Sequence, residues 1–346
     1  MSEISPAKFR RALLGWYDRN RRDLPWRRTT DPWAIHVSEI MLQQTRVAAV
    51  LPYYERFMAR YPTPDAWAQA SESEILACWA GLGYYSRARN LRKAAERIAL
   101  GGEYSRDYAD IRALPGVGDY TAAAIGSIAF GHGRAAVDGN VLRVFARITA
   151  EKADPRGGAV RERLTQTAQA LIDRTRPGDF NQALMELGAT VCLPRNPQCA
   201  ACPVSHWCEA HALGLQHRVP VKSPKRPSVD VVRRLLVIRR NGAVLLRRVA
   251  ADSRRLAGFW DLPEPEQIPG ARIQKKVAEF RHTIVNTIHR CHVSLASAGR
   301  RALPPELRWT PLTEIASLPL STMARKALAL AGLANKERNP AHSAHV

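Results

Sequence analysis

Apolar residues recur every three to four positions from about residue 8 to residue 212, and beyond residue 228 the pattern turns to strand-like alternation. KFRRALLGWYDRN, residues 8 to 20, predicts an amphipathic helix. Asp31-Pro32 reads as the cap and first residue of the next helix, with Trp33, Val37, Ile40 and Met41 on its apolar face. The run Gln43-Gln44-Thr45 interrupts that face, and Thr45 is placed to cap a third helix, RVAAVLPYYERFMARY. Residues 64 to 80 predict one helix and GLGYYSRARNLRKAAERIA another. The turn Leu114-Pro115-Gly116-Val117-Gly118 leads into the small-residue helix TAAAIGSIAF, and helices follow to about 150, at 158 to 174 and at 180 to 191. In VVRRLLVIRR-NG-AVLLRRV the Asn241-Gly242 pair predicts a β-hairpin with a type I′ turn. Strand-like segments recur at 280 to 296, and LTEIASLPLSTMARKALALAGL closes the region with helix. The expectation is an all-α region over 1–217, a Pro- and Arg-rich linker over 218–228, an α+β domain over 229–335 and a disordered tail over 336–346.

The charge adds a partner to this outline. Lys and Arg number 52 against 31 Asp and Glu, a net charge of +21 over 346 residues. Arg is spread along the whole length, which suits phosphate contacts over a wide footprint better than a detachable basic tail. There is no run of 18 apolar residues, no basic amphipathic helix with an aromatic face and no cleavable leader, so an intracellular protein without a membrane partner is expected. Four of the six cysteines cluster, while Cys78 and Cys291 stand apart as core residues. That distribution is a metal pattern in a reducing compartment.

Several positions carry candidate chemistry. Gly116 and Gly118 flank Val117 and let the backbone turn with its N–H groups outward, which suits a phosphate. Residues 114–125 therefore read as a helix-hairpin-helix, which grips a nucleic-acid backbone without reading sequence. Asp138, in VDGNVLRVF, is a helix cap by pattern, and the same placement fixes a carboxylate in space. Glu39 lies beside Ile40 on the edge of an apolar face; it is either a solvated edge residue or, if enclosed, a proton donor whose pKa desolvation raises. Trp26 next to Arg27 is a core anchor or a stacking platform for a base. Tyrosines and basic residues follow Gly81 and Gly83, and Gln182 and Glu186 share a helix face at i and i+4. Cys192, Cys199, Cys202 and Cys208 have the spacing C-x6-C-x2-C-x5-C, too irregular for a zinc ribbon and suited to four thiolates around one compact cluster, with zinc as the alternative.

Taken together, LPWR, SEIMLQQT, GLGYYSRARNL, LPGVGDYTAAAI, VDGNVLRV, FNQALMELGA and the cysteine spacing resemble adenine DNA glycosylases of the MutY family from about residue 8 to 212. GFWDLPE and LPLSTMARKAL resemble that family's Nudix-like lesion-reading domain. The resemblance implies an all-α helix-hairpin-helix glycosylase with an iron-sulfur loop over 192–208 and a [4Fe–4S] cluster. It implies removal of adenine opposite 8-oxoguanine or guanine in double-stranded DNA. By it Glu39 is the acid that protonates adenine N7, Asp138 the carboxylate that stabilises the sugar cation, and Asn140 their support. Trp26, Arg27, Leu42, Gln182 and Glu186 would line the base pocket. Gln44, Thr45, Leu82 and Tyr84 would fill the gap and meet the opposite lesion.

Where the superfamily's lyases carry a Lys after the hairpin, this chain has Tyr120, which cannot form a Schiff base. Strand cleavage is expected to be weak or absent. No RExxEE sequence occurs in the C-terminal region, so nucleotide hydrolysis is not expected there. The stretch His282-Thr283-Ile284-Val285-Asn286-Thr287 stands where the family often has His-Thr-Phe-Ser-His, leaving lesion discrimination to Asn286 or Thr287, or to Thr45 and Leu82. A bifunctional pyrimidine-lesion lyase and a non-enzymatic iron-sulfur DNA-binding protein are the rival readings; Tyr120 counts against the first and the two acids against the second. A monomer in a bacterial-type cytoplasm, associated with the nucleoid through DNA, is expected.

Overall fold

A computed structural model describes residues 4–221, 227–250, 252–253, 256–299 and 302–333; residues 222–226 of the expected linker and the whole expected tail lie outside the described residues. The helices run α1 (Pro6–Asn20), α2 (Pro32–Leu42), α3 (Val47–Arg60), α4 (Pro64–Gln69), α5 (Glu72–Trp79), α6 (Ser86–Gly101), α7 (Tyr108–Ala113), α8 (Asp119–Phe130), α9 (Gly139–Ile148), α10 (Gly158–Leu171), α11 (Pro177–Thr190) and α12 (Glu209–Ala212). Two compact units result, Met1–Ala68 with Asn90–Pro224, and Gln69–Arg89 with Lys225–Val346. The second unit thus takes in α5 and the glycine turn after it, which a single cut at the linker would have left with the helical part. No helix among the described residues is long and apolar enough to cross a membrane.

In the first unit α1, α9, α10 and α11 close on Phe9, Leu13, Tyr17, Phe145, Phe180 and Leu184, and α2, α7 and α8 meet around Ile35, Ile111 and Ile125. Small residues let α8 sit deep, with Thr121 through Ser127 all buried. Asp31 caps α2 by accepting from the amides of Trp33 and Ala34, as its place before Pro32 predicts. Thr45 does not cap α3: Gln44 takes a left-handed φ of 58°, Arg46 occupies the cap position, and the Thr45 hydroxyl turns back to the Gln43 carbonyl at 3.3 Å. The expected helix over 64–80 is two, because Ser71 and Glu74 form a capping box that starts α5 afresh.

The second unit carries a mixed sheet of β1 (Val229–Arg240), β2 (Ala243–Arg248), β3 (Trp260–Asp261), β4 (Arg272–Ile284), β5 (Thr287–Ser297) and β6 (Leu307–Pro311), in the order β3-β2-β1-β5-β4 with β6 on β2. β1 and β5 are parallel and the other described pairs antiparallel. Asn241 and Gly242 both have positive φ, 47° and 73°, as a type I′ turn requires. Helix α13 (Thr322–Leu330) packs Met323, Ala324, Ala327 and Leu328 on one sheet face against Leu235, Val237, Val244 and Leu246.

Candidate active site

Glu39 sits in the last turns of α2 with only 6% of its surface exposed. Tyr120, at the start of α8, donates its hydroxyl to Glu39 Oε2 at 2.7 Å, and Met185 Sδ of α11 lies 3.1 Å from the same hydroxyl. Burial pushes the Glu39 carboxyl up to about 7, the Tyr120 hydrogen bond and Arg27 pull it down, and the nearby Asp138 adds to the rise. Desolvation wins, so the group holds its proton up to neutral pH. Burial also keeps Tyr120 protonated, as a donor and not a base.

Asp138 caps α9: Oδ1 accepts from the amides of Asn140 at 2.9 Å and Val141 at 2.8 Å, and Oδ2 accepts from the Asn140 side-chain amide at 2.8 Å. The carboxylate is therefore fixed by three donors. Asn140 Oδ1 in turn accepts from Arg143 Nη2 at 2.8 Å, and Arg143 also donates to the carbonyls of Gly188 at 2.7 Å and Cys192 at 2.8 Å. Helix α11 comes close enough to Asn140 that a Cβ on Gly188 would stand 2.7 Å from the Asn140 Cβ. A continuous set of hydrogen bonds thus runs from Asp138 to the backbone of Cys192.

Glu186, fully buried on α11, accepts from Arg22 N and Nε at 3.0 and 2.8 Å, from Arg22 Nη2 at 2.7 Å and from Arg27 Nη2 at 2.8 Å. Burial alone would raise its pKa, but the two guanidiniums outweigh it and hold the carboxyl down at about 2. Its helix-face partner Gln182 is half-buried, as is Leu42, while Trp26 is buried edge-on against Tyr54 at 5.1 Å.

Gly116 has φ 81° and no room for a side chain, since a Cβ would lie 2.8 Å from Asn90. A Cβ on Gly118 would meet nothing in the protein. Arg112 braces the turn, bonding Asp119 at 2.6 Å and the Val117 carbonyl at 3.1 Å.

The four clustered cysteines border one hollow together with Arg147. Arg147, 2% exposed, donates to Cys192 Sγ at 3.2 Å, the Leu193 carbonyl at 2.7 Å and the Val219 carbonyl at 2.8 Å. Burial pushes the Cys202 thiol up to about 12 and raises Cys199 and Cys208 as well, so thiolates persist in this loop only beside strong positive charge. No three His, Cys, Asp or Glu side chains among the described residues are grouped to share a single ion. Four thiols spread round a hollow fit a multi-iron cluster better than one zinc ion.

Glu39, Tyr120, Asp138, Asn140, Arg27 and Glu186 thus come together in the first unit, where Gln44 is exposed and Thr45 half-buried. Leu82, Tyr84, Asn286 and Thr287 belong to the second unit. There Leu82 is buried and Tyr84 is 46% exposed. At the β4–β5 turn Ile284 packs toward the core, whereas Val285, with φ 58°, is 70% exposed. The sequence offers Ile284 as the apolar wedge of that turn, but the exposed apolar residue at its tip is Val285. Arg22, Arg143 and Met185 escaped sequence reasoning; only Arg143, one turn after Asn140 on the same helix, left a signal.

Residues 37–170 match the HhH-GPD superfamily base excision DNA repair protein, and residues 192–208 match the iron-sulfur binding domain of endonuclease III. The adenine DNA glycosylase of Homo sapiens is 35% identical over 92% of this chain and 73% of its own length. That of Mycolicibacterium smegmatis is 43% identical over 59% of this chain and 68% of its own. Among solved structures a thermostable thymine-DNA glycosylase superposes with a TM-score of 0.54 at 32% identity, over 60% of this chain and 97% of its own.

Proposed function

The chain belongs to the adenine DNA glycosylase family, and from that premise we propose that its substrate is adenine opposite 8-oxoguanine or guanine in duplex DNA, released by hydrolysis without strand cleavage. The chain is an adenine-specific N-glycosylase of base excision repair that acts on DNA and carries a [4Fe–4S] cluster. The observation that carries the reading is Glu39, a buried carboxyl protonated up to about pH 7 and hydrogen-bonded to Tyr120.

Adenine is a poor leaving group until its ring is protonated, and the sugar left behind is an oxocarbenium-like cation. Once the base is turned out of the helix, Glu39 gives its proton to N7 and the adenine departs neutral. Asp138, pinned by two amides and Asn140, supplies negative charge to the cation with no reorganisation. Water completes the hydrolysis. Tyr120 offers no amine, so no Schiff base forms and the strand stays whole. Trp26, Arg27, Leu42, Gln182 and Glu186 line the base pocket, with Glu186 kept an ionised acceptor by Arg22 and Arg27. Gly116 and Gly118 bring backbone amides to a phosphate.

Cys192, Cys199, Cys202 and Cys208 are assigned as the cluster ligands. When bound, the cluster would supply the positive iron that holds these half-buried thiols as thiolates. In the second unit Tyr84 and Leu82 are assigned to fill the space the adenine leaves, and in the first Gln44 and Thr45 are assigned to the duplex at the mispair. The Val285 turn with Asn286 and Thr287 reads the opposite base. The protein works as a monomer, placed with the nucleoid by its substrate.

The test is full-length protein with duplexes carrying adenine opposite 8-oxoguanine, adenine opposite guanine, and thymine glycol, each with and without alkali. Release of adenine from the first two, with strand breaks only after alkali, is expected. Breaks without alkali, or action on thymine glycol alone, would overturn the proposal.

A further inference from the structure

The turn between α5 and α6 is built under strain. Gly81 and Gly83 have φ of 113° and 70°, and Tyr84 follows with 47°, a left-handed conformation that an aromatic residue adopts only when its surroundings hold it there. What holds it is visible beneath the turn. Arg87, 7% exposed, donates through Nη2 to the carbonyls of Leu82 and Gly83, both at 3.2 Å. Trp79 Nε1 donates to the same Gly83 carbonyl at 3.1 Å. The guanidinium lies 5.4 Å from the Trp79 ring and 5.5 Å from that of Tyr84, so one cation is sandwiched between a core indole and the exposed phenol. Tyr85 turns the other way and packs on Phe259 at 4.2 Å.

A buried cation is costly, and burial brings Arg87 down to about 10, still charged at neutral pH. For a solvated basic helix residue no such burial is needed. Lysine would keep the charge but not the planar fork, and a compact ammonium cannot lie flat between two rings.

We propose that Arg87 is a positioning residue that sets the angle and reach at which Tyr84 enters the duplex. This rests on the reading that Tyr84 fills the space left by the extruded adenine. Arg87 does not contact DNA in this account; it acts through the Gly83 carbonyl and the Tyr84 ring.

The test uses cluster-loaded full-length protein and a duplex with 2-aminopurine beside an adenine opposite 8-oxoguanine, whose fluorescence rises when a wedge unstacks it. Arg87→Lys should lose most of that rise and slow single-turnover adenine release about tenfold, the order expected for the loss of one bond from a charged donor. Binding to an undamaged duplex should change less than twofold. Tyr84→Ala should show the same losses, and adding Arg87→Lys to it should cost less than a further twofold. Trp79→Phe keeps the ring but removes the second donor to Gly83, and should give a smaller loss in the same direction. It carries the test if Arg87→Lys does not fold.

A wild-type signal from Arg87→Lys, or its full penalty persisting in the Tyr84→Ala background, overturns the proposal while leaving the role of Tyr84 intact. A wild-type signal from Tyr84→Ala removes both.

Discussion

Tyr120 donates its hydroxyl hydrogen to Glu39 across 2.7 Å, and this bond works against the burial that keeps Glu39 protonated. The acid is needed in its protonated form, so adenine release should be level at acidic pH and fall as pH rises through about 7. Tyr120→Phe removes the larger of the two influences that lower the pKa, leaving Arg27. The falling limb should therefore move to higher pH, while the maximal rate drops about tenfold as the proton is no longer held in line. Single-turnover rates from pH 5.5 to 9 measure both; a limb that stays in place would show that Tyr120 does not tune Glu39.

Glu39→Gln should cost about 10²- to 10⁴-fold in base release and leave mispair binding near wild type. It should also stabilise the fold in alkali. A carboxyl whose folded pKa lies at about 7, above its usual 4.5, ionises more readily in the unfolded chain. Its contribution is complete below about pH 4.5 and lost as pH climbs through about 7, on the order of 3 kcal/mol by pH 8. Denaturant unfolding at pH 5.5 and 8 should show the advantage of the Gln protein over wild type widening by about 2 kcal/mol toward the higher pH. Equal gaps at both would place Glu39 in water.

Arg143 bonds Asn140, Gly188 and Cys192 together. Arg143→Gln should loosen Asn140 and with it Asp138, slowing base release about ten- to a hundredfold, the range for a misplacement near 1 Å. The visible absorbance of the cluster and affinity for the mispair should persist. Loss of rate in proportion to lost absorbance would mean that Arg143 serves only the loop.

Two glycines should separate packing from DNA contact. Gly188→Ala puts a Cβ 2.7 Å from that of Asn140, and α9 and α11 must part. It should cost about 1–3 kcal/mol of stability as well as rate. Gly118→Ala meets nothing in the protein, so its melting temperature should hold while DNA affinity falls. Unchanged affinity in Gly118→Ala would remove the hairpin from the DNA interface.

Cys199→Ser should lose the brown chromophore and weaken DNA binding, because one missing thiolate releases the loop between Cys192 and Cys208. A colourless wild-type protein with stoichiometric zinc would overturn the cluster.

Local rules made much of this legible. The caps at Asp31 and Asp138, the Asn241-Gly242 turn and the Gly116 turn all follow from short-range chemistry and stand as expected. Thr45 failed as a cap because Gln44 uses up the turn. The Ser71 box was present in the sequence but lay within a helical pattern that reads through it. Strand β4 begins at Arg272, well before 280, because RIQKK is exposed on both faces and register shifts between Ile273 and Lys275 and between Lys276 and Ala278 break any alternation. Arg22 could not be singled out among so many arginines, because the carboxylate it reaches lies 164 positions away, and Arg87, which reads with Arg89 and Arg92 as a solvated or duplex-facing residue of a basic helix, is instead buried against the carbonyls of Leu82 and Gly83.

A helix cap asks only for a short side chain with an acceptor oxygen, and Asn or Ser at position 138 meets that demand about as well as Asp. The cap itself therefore depends little on the negative charge on which chemistry depends. Alleles that replace Asp138 in this way would be expressed, coloured and retained on DNA, passing every screen for a sound protein. They would also sit on mispairs without clearing them. Only the mutation rate of the cell carrying them would tell the difference, so selection on this position acts through genome integrity over generations and not through the fate of the protein itself.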